Sequence, residues 1–574
     1  MSHACLGVIA WGQCAYDPGN PAFSYFGLGE AAAALAFTLA VPQFIKPIYR
    51  MRLAARRIRT LHIFCLAFFG ATFSLIGGLL PHMPIQRDFP LAYPAIWEMA
   101  GGVLFAIAFG LLAFGSIVPL TARAGRVRSY AQAVAHFLTI AQPADHVEFA
   151  EQELAKNFER LTRFANFVDW FDEPSAFFVF THRRAIEDGE FAGSLLRIAS
   201  DARLCRTIVD RTPWLAADLV RMIDEKRIRC RAAERLIQEI ALQAIASNDS
   251  MLDREAGYGG FSNAPILADS LFGSTFIAQT YRPLQWLSIG FTEPITTPLV
   301  RRFNMAAELL LATSLKGKDF WQPSAHYDVS KLYNQMMQGL RWETQESVSI
   351  DTLVALTGGA KERVRQVRAA LATLPAAERV RLYKIDDRLQ WGENLVEVYA
   401  DLANELLETI ANGFDGVDDR FWSFAISLWH EVFPFHENEL SGLDPFQQRL
   451  TLHIRSKVAQ NMDGWYPALT RLILAVQGPH GPPPRVQTRS AYVIFSDLFY
   501  DQLRTGLPRL SADNPEKFND FMPPSVTYDA VTNTLTRTFT GGTQRQTGLA
   551  MLNVEPVDPY QPATWLDADQ AVEL

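Results

Sequence analysis

The sequence predicts a mainly α protein, built as a three-helix transmembrane bundle followed by a large, multi-part helical cytoplasmic region that carries a small C-terminal β-hairpin. Three observations lead there. Three long apolar runs crowd into the first 120 residues, apolar residues recur at helical spacing through most of the rest, and strand-like alternation paired across a turn is found near the C-terminus.

Residues 1–25 read as an extracytoplasmic tail. Its apolar patch lacks the basic flank, the length and the small-residue cleavage site of a signal peptide, so it is expected to be retained. Cys5 and Cys14 share this tail, and outside the cytoplasm they are candidates for a disulfide closing a small loop. The transmembrane domain follows over residues 26–121. Phe26–Pro47, Leu61–Leu80 and Ala95–Leu120 each supply the roughly 20 apolar residues that a helix needs to cross about 30 Å of hydrocarbon.

Direction follows from Lys and Arg, which stay on the cytoplasmic side of short loops. Lys46, Arg50, Arg52, Arg56, Arg57 and Arg59 follow the first span, and Arg123, Arg126 and Arg128 follow the third. The loop between the second and third spans holds only Arg87, and no Lys or Arg precedes Glu30. The N-terminus is therefore expected outside and everything after the third span inside. Small residues recur at every fourth position: Ala32, Ala36 and Ala40; Gly70, Ser74 and Gly78; Gly102, Ala106 and Gly110. Such stripes let helices approach closely, within one chain or between chains, and they mark Gly70, Ser74, Gly78, Gly102, Ala106 and Gly110 as packing residues. Glu30 and Glu98 fall near the outer ends of the first and third spans, where a carboxylate reaches headgroup water or lines a cation entrance.

A helical bundle is expected over residues 122–250. It opens at Pro143 with Asp145 as a start signal and carries the stripe Val147, Leu154, Phe158, Leu161, Ala165 and Val168, followed by a helical run from Trp214 to Ala246. This stripe packs within the chain or forms a short coiled stalk in a homo-oligomer. Residues 251–345 are apolar but irregular, interrupted by Pro283, Pro294 and Pro298, and the Gly257–Gly260 run has neither the strand nor the GK[ST] of a phosphate loop. Residues 346–480 form a helical domain in which Ile350–Leu374 has helix-turn-helix spacing around Thr357-Gly358-Gly359, with a strand-like wing at Arg379–Lys384. Residues 481–574 hold a Pro-rich linker, a helix over Ser490–Leu503, a hairpin of Val526–Tyr528 and Leu535–Phe539 extended by Leu549–Val554, and an acidic tail.

Charge separates the two parts. Residues 1–128 hold 10 basic and 4 acidic side chains, leaving 43 basic against 57 acidic in the remainder. An acidic soluble region repels phosphate, which argues against a nucleic-acid partner even though Lys361, Arg363, Arg365 and Arg368 follow the expected turn. Arg outnumbers Lys by 43 to 10, the bias of a GC-rich bacterial genome, so the membrane is taken as a cell inner membrane. The one candidate metal segment runs from Trp429 to Glu439 with His430, His436 and Glu437. Its histidines are six apart with Pro434 between them, unlike the HExxH spacing that puts both imidazoles on one helical face, so no metal and no cofactor are expected.

No motif is specific enough to name a family. What the pattern supports is a multi-pass membrane protein whose cytoplasmic helices act as a receptor, scaffold or effector, with lipid, a second copy of itself and a cytoplasmic protein as partners, in the extreme an oligomeric channel. The alternative is a membrane-tethered hydrolase using the His430/His436 segment, but no catalytic motif speaks for it.

Overall fold

Helices dominate the computed structural model, which describes residues 9–10, 13–14, 26–56, 60–80, 94–169, 176–257, 265–285, 287, 294–342, 350–375, 377–378, 382, 394–412, 419–433, 445–463, 468–477, 499, 503, 507–512, 515–516, 518, 522, 526–532, 534–541 and 544–551. The chain divides into two compact units, residues 1–236 and 237–574.

In the first unit a two-residue antiparallel pair, β1 (Ile9–Ala10) and β2 (Gln13–Cys14), precedes the apolar helices α1 (Leu28–Phe44), α3 (Thr60–Leu79) and α4 (Pro94–Ile117). Among the described residues α3 and α4 are long and apolar enough to cross a membrane; α1 makes a third span only together with α2 (Pro47–Ala55), from which it is bent by 110°. The expected first span through Pro47 thus stops early. Residues before proline avoid the α region, and Ile45 and Lys46 are extended (ψ 148° and 150°), so Pro47 starts a new helix instead of ending the old one. Outward from these helices point Phe37, Leu39, Phe68, Phe69, Val103 and Phe114, an exposed apolar surface that water does not favour and lipid does.

Between α3 and α4 the small residues sit at a close crossing. A Cβ on Gly70 would stand 3.0 Å from the Phe105 ring and 3.1 Å from the Gly101 carbonyl, and one on Gly101 would collide with Ser74. Gly70 and Ser74 therefore pack as the stripe suggests. The row completing the contact is Gly77 with Gly101, Phe105 and Ala108, whereas Gly78, Ala106 and Gly110 face outward and Gly102 lies against Phe26.

Beyond α4 come α5 (Val127–Ile140) and a long helix made of α6 (Pro143–Phe149), a π-helical turn (Ala150–Leu154) and α7 (Ala155–Asp169). Its start is a capping box: the Gln142 side chain accepts from the Asp145 amide, and the Gln142 amide donates to the Asp145 carboxylate at 3.1 Å. Leu154, Phe158, Leu161 and Ala165 are buried. The cover is α8 (Ala176–Ala199) of the same chain, whose Gly189 meets Val168 and the Phe164 carbonyl so closely that no Cβ fits. After α9 (Ala202–Arg211), capped by Asp201, the run expected from Trp214 to Ala246 is two helices, α10 (Pro213–Glu225) and α11 (Arg231–Ala246). Arg227, at φ 49°, breaks it.

The second unit continues with α12 (Met251–Gly257), α13 (Ile266–Phe272), α14 (Thr275–Tyr281), α15 (Thr297–Lys316), α16 (Ser324–Trp342), α17 (Ile350–Thr373), α18 (Leu395–Asn412), α19 (Asp419–Val432), α20 (Pro445–Asp463) and α21 (Ala468–Gln477). One expectation is corrected here. Residues 350–373 form a single unbroken helix, not a helix-turn-helix hairpin. Gly359 serves close packing, because a Cβ there would strike the Asn304 amide, and Thr357 stays helical by donating its hydroxyl to the Leu353 carbonyl at 2.7 Å. The basic residues are engaged within the fold: Lys361 donates to Ser427, Arg363 pairs with Glu308, Arg365 with Glu362, and Arg368 donates to the Glu431 carbonyl. Near the C-terminus β3 (Val526–Asp529), β4 (Thr534–Gly541) and β5 (Gln544–Met551) form an antiparallel sheet in the order β3-β4-β5. The hairpin is as expected, and its third strand lies earlier than Leu549–Val554. The linker at 478–484 and the acidic tail lie outside the described residues, as does most of the wing and of the Ser490–Leu503 helix.

Candidate functional site

On α2 the residues Ile48, Met51, Arg52 and Ala55 follow the three-and-four spacing of a buried helical face, and all four are buried. A guanidinium on such a face needs acceptors. Arg52 Nε donates to Glu153 Oε1 at 2.7 Å, Nη2 to Gln152 Oε1 at 2.6 Å, and Nη1 to the carbonyls of Ser116 and Ile117 at 3.1 and 2.9 Å. Side-chain exposure is 1% for Arg52 and 0% for Glu153, so the pair is shut off from water.

Glu153 lies within the π turn. Its carboxylate also accepts the Leu120 amide at 3.0 Å, and burial pushes its pKa up against the opposing pull of Arg52 and that amide. Asn157, four residues on, accepts the Ala122 amide at 2.6 Å and donates from Nδ2 to the Leu120 carbonyl at 3.0 Å and the Tyr130 hydroxyl at 3.3 Å. Burial raises the pKa of that phenol. The node thereby ties α2, the carboxyl end of α4, the strap 118–122 and the long helix 143–169 to one another.

Two further arginines at the bend between α1 and α2 cap the apolar helices. Arg50 donates to the Gln43 and Ile45 carbonyls at the end of α1, and Arg56 donates to the Gly115 and Val118 carbonyls at the end of α4 at 3.1 and 2.6 Å. Cations there offset both the orphan carbonyls and the negative pole of each helix. The carboxyl ends of α1 and α4 consequently lie at the same end of the bundle, with α2.

A second polar group is found in the core of the other unit. His326 Nε2 is 2.9 Å from Ser314 Oγ and its Nδ1 is 3.1 Å from the Tyr399 hydroxyl, and burial pulls the imidazole down to about 4. All three side chains are buried, so this serine and histidine satisfy one another inside the core and present no face to a substrate.

His430 is half-buried on α19, its pKa lowered by burial and by the Lys361 charge, while His436 and Glu437 lie outside the described residues. Among the described residues no three His, Cys, Asp or Glu side chains are grouped to hold a metal ion. Cys14 falls on β2, Cys5 lies outside the described residues, and nothing is described of a bond between them; Cys65 is a free exposed thiol, and Cys205 and Cys230 are buried. Sequence reasoning placed Arg52 among the loop charges and did not single out Glu153 or Asn157. The readable signal was Arg52 at the i+4 position from Ile48, a charge on an apolar face that demands a buried partner. No family model matches this chain, and neither a curated protein nor a solved structure resembles it significantly.

Proposed function

We propose that the chain is a three-span inner-membrane protein, N-terminus outside, whose cytoplasmic helices act as a receptor, scaffold or effector module coupled to the spans through the Arg52–Glu153 node. The node is the observation that carries this reading. A tether without signalling needs only a covalent link, whereas here the same helix caps two apolar helices and holds the first long helix beyond them through a buried ion pair. A shift of α1 against α4 then moves α2, and with it Glu153. In support of three spans, α1 and α2 together are long and apolar enough to cross a membrane as a bent pair, α1 itself extending about 26 Å against roughly 30 Å of hydrocarbon.

Orientation is the part most directly testable. A periplasmic-active phosphatase fused before Phe26 is expected to be active and one fused after Arg128 inactive. The opposite pattern would overturn the reading, because it would put the node and the helices attached to it on the outer side.

A further inference from the structure

The basic residues flanking the spans divide into two groups. Among the described residues, those at the bend between α1 and α2 are engaged inside the chain: Lys46 pairs with Glu148, and Arg50, Arg52 and Arg56 bind carbonyls or Glu153. Arg123 and Arg126 are exposed, and neither has an ion pair or a side-chain hydrogen bond among the described residues. They occupy the first and last positions of a tight turn closed by the Arg126 amide donating to the Arg123 carbonyl at 3.0 Å, so their α-carbons are within about 7 Å of each other.

The turn is held in place. Gly125 has φ +76°, a conformation other residues adopt only with strain, and its amide donates to the buried carboxylate of Asp188 beside the turn. Arg128 follows on the first turn of α5, exposed and stacked over the Phe191 ring at 5.4 Å. Just before the turn, Ile117 and Val118 are exposed apolar side chains at the end of α4, and Phe114, also exposed, carries the Arg56 guanidinium over its ring at 4.9 Å. Apolar surface for acyl chains and unpaired guanidinium forks for phosphate thus lie within a dozen residues, in the order in which a phospholipid presents its parts.

We propose that the turn Arg123–Arg126, with Arg128, binds the headgroup of an anionic phospholipid whose acyl chains lie along Phe114, Ile117 and Val118. The inference rests on α4 being a membrane span. Alkaline carbonate extraction tests that point separately: protein released from membranes would refute the span, whereas protein retained leaves the headgroup question to the lipid measurement.

The measurement is lipid binding to the purified full chain in detergent by native mass spectrometry, with phosphatidylglycerol, phosphatidylcholine and inorganic phosphate as probes. Wild-type protein is expected to prefer phosphatidylglycerol over phosphatidylcholine, with preference lost at high salt and no comparable retention of free phosphate. At about fivefold per arginine near a membrane surface, Arg123→Gln, Arg126→Gln and Arg128→Gln together are expected to weaken that binding roughly a hundredfold. Lysine at the same three positions should restore most of it. Equal affinity for the two lipids, a preference that survives high salt, retention of phosphate as strong as that of lipid, or a folded glutamine triple variant with undiminished preference would each overturn the proposal. Should the triple variant not fold, the salt series on wild-type protein decides alone.

Discussion

Arg52 occupies a position on α2 where an amphipathic helix ordinarily carries an aliphatic side chain, and its burial removes a guanidinium from water at a cost of several kcal/mol. Four acceptors offset that cost, two from the end of α4 and two from the π turn. Removing one member of a buried pair strands the other, typically at about 3–5 kcal/mol, whereas replacing both by apolar groups is often close to neutral. Arg52→Met is therefore expected to lower the melting temperature sharply, and Arg52→Met with Glu153→Leu to recover much of the loss. Tryptophan fluorescence during heating in nanodiscs reads both. A double variant as unstable as the single one would mean that the carbonyls of Ser116 and Ile117, not Glu153, are what Arg52 stabilises. The sequence carried half of this site. Spacing from Ile48 puts Arg52 on the apolar face, but its partner is a hundred residues away, and local pattern cannot pair them.

Among the elements, the long helix 143–169 shows where periodicity works and where it fails. Its stripe was legible because Leu154, Phe158, Leu161 and Ala165 repeat by three and four, and each is buried. The π turn at Ala150–Leu154 was not legible, and the burial of Glu153, four residues before Asn157 and eight before Leu161 on the same buried face, was overlooked, while Glu151 is exposed. The helix-turn-helix expectation failed for a related reason. Two glycines in sequence suggest a turn, yet Gly359 is set by the closeness of Asn304, a tertiary demand invisible in the local pattern. Because α8 of the same chain covers the stripe, Leu154→Asp with Leu161→Asp is expected to unfold the helical region beyond the membrane segment and not merely to dissociate copies. Circular dichroism should show a large loss of helix; a variant that keeps its helical signal while its mass falls would mean the stripe serves contacts between chains.

Taken as a whole, the membrane segment buries one set of small residues and leaves another outside, and the two sets make opposite forecasts. Gly70, Ser74, Gly77 and Gly101 lie in the crossing of α3 with α4, where a larger side chain disrupts the chain's own packing. Ala106 and Gly110 face outward on α4, with open space where a Cβ on Gly110 would stand. Helices in lipid gain no hydrophobic transfer energy from one another, so close backbone approach at small residues is what association between copies would use. A homo-oligomer, expected from the sequence, would have to use this outward face, since the stripe beyond the membrane segment is covered by α8. An aqueous path would need such an assembly, because three helices of one chain pack their facing side chains against each other. Ala106→Leu with Gly110→Leu is expected to reduce the assembly to single chains at unchanged helix content, while Gly101→Leu should lower helix content and thermal stability whatever the assembly. Light scattering in two detergents and in nanodiscs, read alongside circular dichroism, separates the two effects. Wild-type protein that is monomeric in every one of those environments would refute the assembly and leave the outward residues as plain lipid contacts.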